Sequence, residues 1–248
     1  MNNELNRSIL SSSEKYLIQM KDSIILPSSI AFLNNLETNN NREWFAENKE
    51  RYIAAQSNII GVIDQLIVLM NAHDAIENAS GKKSLYRIYN DVRFSKDKLP
   101  YKPRFAFSLQ RATKLKRGGY YVNIQPGNNF LACGFFAPNP EDLKRIRKDI
   151  ELNPAAWSKI LNSKPIKDNF VELAGNKVPT FPKGFPKDHE AIDLIRHKQF
   201  ILRHNFTDQE VVDPGFVYTV NEIFKSVRPF FDYMSFVLTT DLNGETIA

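Results

Sequence analysis

Apolar residues recur along this chain in two rhythms. Steps of three and four dominate both ends, and steps of two dominate the middle. Pro27 and Ser28 open a short helical stretch carrying Ile30, Phe32, Leu33 and Leu36, and the polar run Thr38-Asn39-Asn40-Asn41 breaks it. Asn40, with Glu43 three residues on, has the spacing of a capping box. The helix it would open runs to about Asn71, with Phe45, Tyr52, Ile59, Ile63, Leu66 and Met70 on one side. After Gly81 the period becomes two. Tyr86, Ile88, Val92 and Phe94 would share one face of a strand, and Arg87, Tyr89, Asp91, Arg93 and Ser95 the other.

Three more strands are expected at Phe105–Leu109, Tyr120–Gln125 and Phe130–Phe136, joined by turns at Gly118-Gly119 and Pro126-Gly127-Asn128-Asn129. Helices then follow over Glu141–Glu151 and from Pro154 to Leu161. Residues 164–187 read as loops, Asp188 as the cap of a helix burying Ile192 and Ile195, and Phe200–Phe206 as a strand. Thr207 and Glu210 form a second capping-box pattern. A last helix from Phe216 to Leu238 should kink or restart at Pro229. The layout is α+β: an antiparallel β-meander flanked by N-terminal and C-terminal helices. Residues 1–26 read as a flexible tail and 27–248 as a single α+β domain.

Composition adds three points. Hydrophobic residues make up 42% of the 248, with eighteen Phe and nine Tyr, enough for a large core. The single Cys133 has no partner for an internal disulfide, and the N-terminus lacks a signal-length apolar core, so a cytoplasmic setting is expected. The run IIGVIDQLIVLM contains Asp64 and Gln65 and is too short to span a bilayer, so no membrane partner is expected. The net charge of +5 is unevenly placed. Lys82 to Arg117 holds twelve Lys or Arg and two Asp, which leaves the rest of the chain mildly acidic.

That basic segment holds the candidate chemistry. On one strand face, Arg87, Asp91 and Arg93 would sit in a row with neighbours about 7 Å apart or twice that, with Ser95 in line. A turn through Lys96, Asp97 and Lys98, returning through Tyr101 and Lys102, would bring more cations beside it. Arg87 and Arg93 can then clamp an anionic group, the lysines can add field, and Asp91 or Asp97 can orient an arginine or move a proton. Arg42 and Trp44, at a helix start, could flank the same pocket. The competing reading is a charge network that only pins the fold.

Elsewhere the signals are thin. His189, Asp193 and His197 fall four apart, but a closed zinc site needs a fourth ligand, and no metal is expected. No glycine-rich phosphate loop or dinucleotide fingerprint is present, so no cofactor is expected. Cys133, flanked by Ala132 and Gly134 in an apolar strand, reads as an inert core thiol.

The runs NNNREWFAENKERY, RIYNDVRFSKDKLPYK, YYVNIQPGNNFLACGFFAPNPEDLKRIRKDI and KGFPKDHEAIDLIRHKQF together resemble the bacterial and fungal family called domain of unknown function 2461. The resemblance covers nearly everything after the tail. It implies a protein of unassigned biochemical role, and it carries over no catalytic residue. Three functions stay open. One is an enzyme or small-ligand binder for a phosphate or carboxylate. A second is a nucleic-acid module using the basic hairpin Arg104 to Gln125 with Tyr120 and Tyr121. The third is a protein-interaction scaffold. The oligomeric state is left open.

Overall fold

The computed structural model describes residues 24–91, 93, 98–241 and 245–247. Ile24 to Leu26, expected to end a loose tail, are instead tied down. Asn58 accepts from the Leu26 amide at 2.9 Å and donates to the Ile24 carbonyl at 2.8 Å, and Ile25 is buried. Residues 1–23, the rest of that expected tail, lie outside the described residues. Helix α1 (Pro27–Thr38) starts on a proline, whose fixed φ suits a first turn, and buries Phe32, Leu33 and Leu36.

The next helix begins one residue later than its pattern suggests and comes in two pieces. Asn41 is its cap, accepting from the Trp44 amide at 2.9 Å. Asn40 points elsewhere, onto the backbone of Tyr101. After α2 (Arg42–Glu47), Asn48 turns its side-chain amide onto the Trp44 carbonyl at 2.9 Å, and the helix restarts as α3 (Lys49–Asn71). By length and apolarity α3 could cross a bilayer, yet seven of its side chains, from Tyr52 to Met70, are buried in the core.

The short α4 (Gly81–Ser84) leads into the segment expected to be a strand; the expectation fails over residues 85–91, while Val92 and Phe94 lie outside the described residues. Residues 85–91 form only two isolated bridges, Leu85 with Phe107 and Tyr89 with Tyr101. The segment folds onto its own return limb, with the Asn90 amide donating to the Pro100 carbonyl and the Lys102 amide to the Ile88 carbonyl. Pro100 and Pro103 lack the N–H groups that a continuous ladder needs. The two-residue alternation also breaks, since Tyr86 is half exposed while Ile88 is buried.

The sheet proper has β1 (Phe105–Gln110), β2 (Gly119–Ile124), β3 (Asn129–Phe135), β4 (Leu173–Ala174) and β5 (Phe200–Phe206). Its order is β1-β2-β3-β5-β4, antiparallel throughout. The register places Phe107, Val122, Leu131 and His204 side by side. One face therefore carries Phe105, Phe107, Leu109, Tyr120, Val122, Leu131, Cys133, Phe200 and Leu202, all buried.

Helices cover that apolar face. After α5 (Pro140–Leu152) and α6 (Pro154–Leu161), the stretch read as loops contains α7 (Lys164–Asn169) as well as β4. Asp188 caps nothing: α8 (Ile192–Ile195) starts from Ala191. Thr207 and Glu210 do form a capping box, at the start of α9 (Asp208–Val211). The last helix restarts at Pro229 as expected, giving α10 (Phe216–Ser226) and α11 (Arg228–Thr239). Tyr120 packs on Phe224 and Phe231, with ring centres 4.6 and 5.1 Å away, and Trp157 packs on Phe200, Phe230 and Tyr233. Burying each such side chain contributes roughly 1.5–3 kcal/mol.

Gly134 sits at φ +144, and a Cβ there would lie 2.0 Å from the Phe200 carbonyl oxygen on the adjacent strand. Gly134→Ala should therefore destabilise the protein by about 3 kcal/mol or more. Urea denaturation would show this as a lower midpoint with an unchanged slope.

Candidate functional site

Two charged regions lie at opposite ends of the β1–β2 hairpin, and they differ in how their charge is matched. At the Gln110–Gly119 end a buried pair, Asp74 with Arg111, gathers further charges around it. Asp74 follows the last turn of α3, and its side chain is fully buried. Its carboxylate accepts from Arg111 Nε at 2.9 Å, from the Tyr120 hydroxyl at 2.7 Å and from the Ala75 amide at 2.8 Å. Lys116 and Arg228 stand 3.6 and 3.5 Å from Oδ1, the oxygen that takes the Ala75 amide. Arg111 also donates to Asp232 at 2.7 Å and to the Arg117 carbonyl at 3.1 Å. Arg117 pairs with Asp142, and Arg228 donates to the His73 carbonyl.

Burial alone would push the Asp74 carboxyl up. The Tyr120 hydroxyl, the Ala75 amide, Arg111 and Arg228 outweigh it and hold it below its ordinary value of 3.8. Tyr120 is driven the other way, up, by burial and by the Asp74 charge.

At the other end lies the corner anticipated from the basic segment. Asn40 clamps the backbone of Tyr101, donating to its carbonyl at 2.9 Å and accepting from its amide at 3.1 Å. Asn90 holds the same limb through the Leu99 carbonyl at 2.9 Å. The Tyr101 ring is buried and stacks on Phe45 at 4.0 Å. Arg42 and Lys49 are close enough to affect its hydroxyl, which burial pushes up and they pull down. Lys49 lies 5.2 Å from the centre of Phe45 and 5.1 Å from that of Tyr52, and it donates to the Tyr89 hydroxyl at 3.3 Å. Trp44 is half-buried against Phe32.

Of the expected row of Arg87, Asp91 and Arg93, the last two pair with each other. Asp91 takes up both its oxygens on Arg93, with contacts of 2.9 and 2.7 Å. That bonding holds the Asp91 carboxyl below its usual range, and the more distant charge of Arg87 adds a weaker pull. Arg87 and Lys98 are both exposed. Ser95, Lys96 and Asp97, also expected in this site, lie outside the described residues.

Arg87, Lys102 and Arg104 do come together. Lys102 Nζ donates to the Arg87 carbonyl at 3.4 Å. Burial, then Arg104 and Arg87, push its ammonium below the usual lysine value. Arg104 donates to Asn123 Oδ1 at 3.4 Å and lies close enough to Tyr121 to oppose the upward push of burial on its hydroxyl. Among the described residues no carboxylate lies within ion-pair distance of these three cations. Arg104 is not among the expected site residues, although the alternation of β1 already places it in a polar row with Ser108.

Through Arg104 the corner opens onto the second face of the sheet. The register puts Ala106, Ser108 and Gln110, then Gly119, Tyr121 and Asn123, then Phe130, Ala132 and Gly134, then Ile201, Arg203 and Asn205 on this side. Gln110, Arg203 and Asn205 are exposed, and Tyr121 and Phe130 are half-buried. Towards the Gly119–Gly134 pair the face ends in a cleft of about 510 Å³, with Tyr86 and Phe136 as walls and Lys116 and Arg117 at its rim. Tyr120, expected to stack bases beside Tyr121, faces the core instead, because neighbouring residues of a strand point to opposite sides.

His189 and His197, weighed as metal ligands, hold backbone instead. His189 accepts from the Ala191 amide at 3.0 Å through Nδ1, so its Nε2 donates to the Glu151 carbonyl at 3.1 Å. The ring of His197 sits against the Gln199 carbonyl at 3.2 Å. Burial pushes the Cys133 thiol up, which leaves it a poor nucleophile.

These features define an α+β protein with one apolar sheet face under helices and one open face bordered by cations that have no carboxylate partner among the described residues. Residues 28–233 match the family model described as "Conserved hypothetical protein (DUF2461)", and the chain belongs to that family. No curated protein and no solved structure matches it.

Removing the Asp74 carboxylate would leave Arg111 and the Tyr120 hydroxyl buried without their acceptor. Asp74→Ala should cost about 3–5 kcal/mol in chemical denaturation. Its folded pKa is depressed, so its stabilisation is complete above the unfolded value of 3.8 and is lost as pH falls through the lower folded value. The variant should therefore show a shallower loss of stability in acid than the parent protein.

Proposed function

We propose that this protein binds an anionic ligand at the corner formed by Arg87, Lys102 and Arg104, where the β1 edge meets the open sheet face. The observation that carries this reading is the set of three neighbouring cations with no carboxylate partner among the described residues. Cations held together repel, and burial of Lys102 adds a desolvation cost. A bound phosphate or carboxylate would relieve both, and two guanidiniums offer it paired donors. Tyr101 then supports the limb that carries Lys102 without touching the ligand, since its ring is packed on Phe45. Arg42 and Trp44 border the same limb through Tyr101 and Phe32.

Tripolyphosphate, citrate and inorganic phosphate should each raise the melting temperature, most strongly for the highest charge. Calorimetric titration of Lys102→Met and Arg104→Ala should show affinity for tripolyphosphate reduced roughly tenfold by each, as for loss of one charge-assisted hydrogen bond. Binding raises the pKa of Lys102, so titrations in alkaline buffers should show proton uptake in the parent protein and none in Lys102→Met. Equal binding by parent and variants, or none by any of the three anions, would remove the corner as a site.

A further inference from the structure

The large side chains on the open face say what kind of anion fits, and this step rests on the anion-binding reading above. Tyr86, Tyr121 and Phe130 run diagonally across the sheet with ring centres 6.2 and 5.8 Å apart. Arg203 adds a fourth flat surface, its guanidinium carbon 3.8 Å from the Phe130 ring centre. Asn205 and Asn128 fix that guanidinium by accepting from it at 2.9 and 3.2 Å. The Tyr86 hydroxyl is tied to Ser108 at 3.0 Å. Tyr86 is exposed, and Tyr121 and Phe130 are half-buried on this face. Among the described residues, no Asp or Glu projects from the strands on this side.

Three ligand chemistries can be weighed against that surface. A small anion would use the cationic corner and leave the rings uncovered. A neutral glycan would use the rings and amides and leave the cations unmatched. A flexible polyanion with repeating flat rings uses both, stacking its rings on the aromatic row while its charges follow the cations. A duplex keeps its base faces stacked inside and has none to offer. We infer that the open face binds single-stranded nucleic acid, with bases on Tyr86, on Tyr121 and on the Arg203 guanidinium that caps Phe130, and backbone phosphates along Arg104, Lys102 and Arg87.

The test is fluorescence anisotropy of a labelled short oligothymidylate titrated with the full chain in low salt. Binding is expected, and it should weaken with salt by a log–log slope of roughly −0.7 for each phosphate contacted. Phe130→Leu and Tyr121→Leu keep apolar bulk but lose the aromatic face, and each should weaken binding roughly tenfold. Arg203→Lys keeps the charge but loses the planar surface, and it should weaken binding to the oligonucleotide while leaving tripolyphosphate binding unchanged. Circular dichroism checks that each variant is folded. If tripolyphosphate binds and depends on Arg104 while the oligonucleotide ignores Phe130→Leu, the nucleic-acid inference falls and the anion corner stands. If a neutral hexasaccharide binds through Phe130 and the oligonucleotide does not, the face is a glycan platform and the inference falls. If neither anion binds, both readings fall.

Discussion

The fold turns on one buried ion pair, Asp74 with Arg111. These residues are 37 positions apart, one just past a helix and the other just past a strand. Their contact fixes the end of α3 against the end of β1. Tyr120 adds β2 through its hydroxyl, and Asp232 and Ser235 add α11 through Arg111. A hydrophobic cluster alone would bind the same helices to the sheet, but it would accept several rotations of each. A buried carboxylate with so many donors accepts one. Such pairs often contribute little net stability relative to an apolar replacement of the same shape. Here the geometry is specific enough that the pair also sets register, because sliding β1 would strand Arg111 away from all its acceptors.

That register decides the character of the two sheet faces. With Phe107, Val122 and Leu131 aligned under the helices, the intervening residues are committed to the other side. Those residues are not a second apolar set. They are mostly glycines, alanines and amides, with Ser108 and Ile201, interrupted by Tyr121, Phe130 and Arg203. An aromatic half exposed on a sheet loses part of the benefit of burial. Three rings in one diagonal, joined by a stacked guanidinium, are therefore not explained by packing of the core.

Much of this architecture is legible in the order of residues, and the departures from it have common causes. Helical periodicity locates α1, α3, α5 and α10–α11, and alternation locates β1, β2, β3 and β5. The paired prolines and dense charge of residues 86–103 look strand-like in alternation alone, yet Pro100 and Pro103 remove donors that a ladder requires. Asn40 and Asn41 are both competent caps, and only the distant backbone of Tyr101 decides between them. Arg87, Lys102, Arg42 and Tyr101 stand out through local crowding of charge and aromatic residues. Asp74 does not, because its neighbours Ala72, His73 and Ala75 carry no motif, and its importance lies entirely in partners far along the chain.

The excess positive charge of residues 82–117 also becomes intelligible once positions are known. At the turn end of the hairpin the fold imports carboxylates from outside the segment: Asp74 and Asp232 meet Arg111, Asp74 meets Lys116, and Asp142 meets Arg117. Arg93 is answered within the segment by Asp91. Arg87, Lys102 and Arg104 receive no such partner among the described residues, although they are near enough to one another for Lys102 to feel both guanidiniums. Beside the aromatic face, then, three cations stand together without a carboxylate among the described residues, whereas Arg111, Lys116 and Arg117 at the turn end each have one.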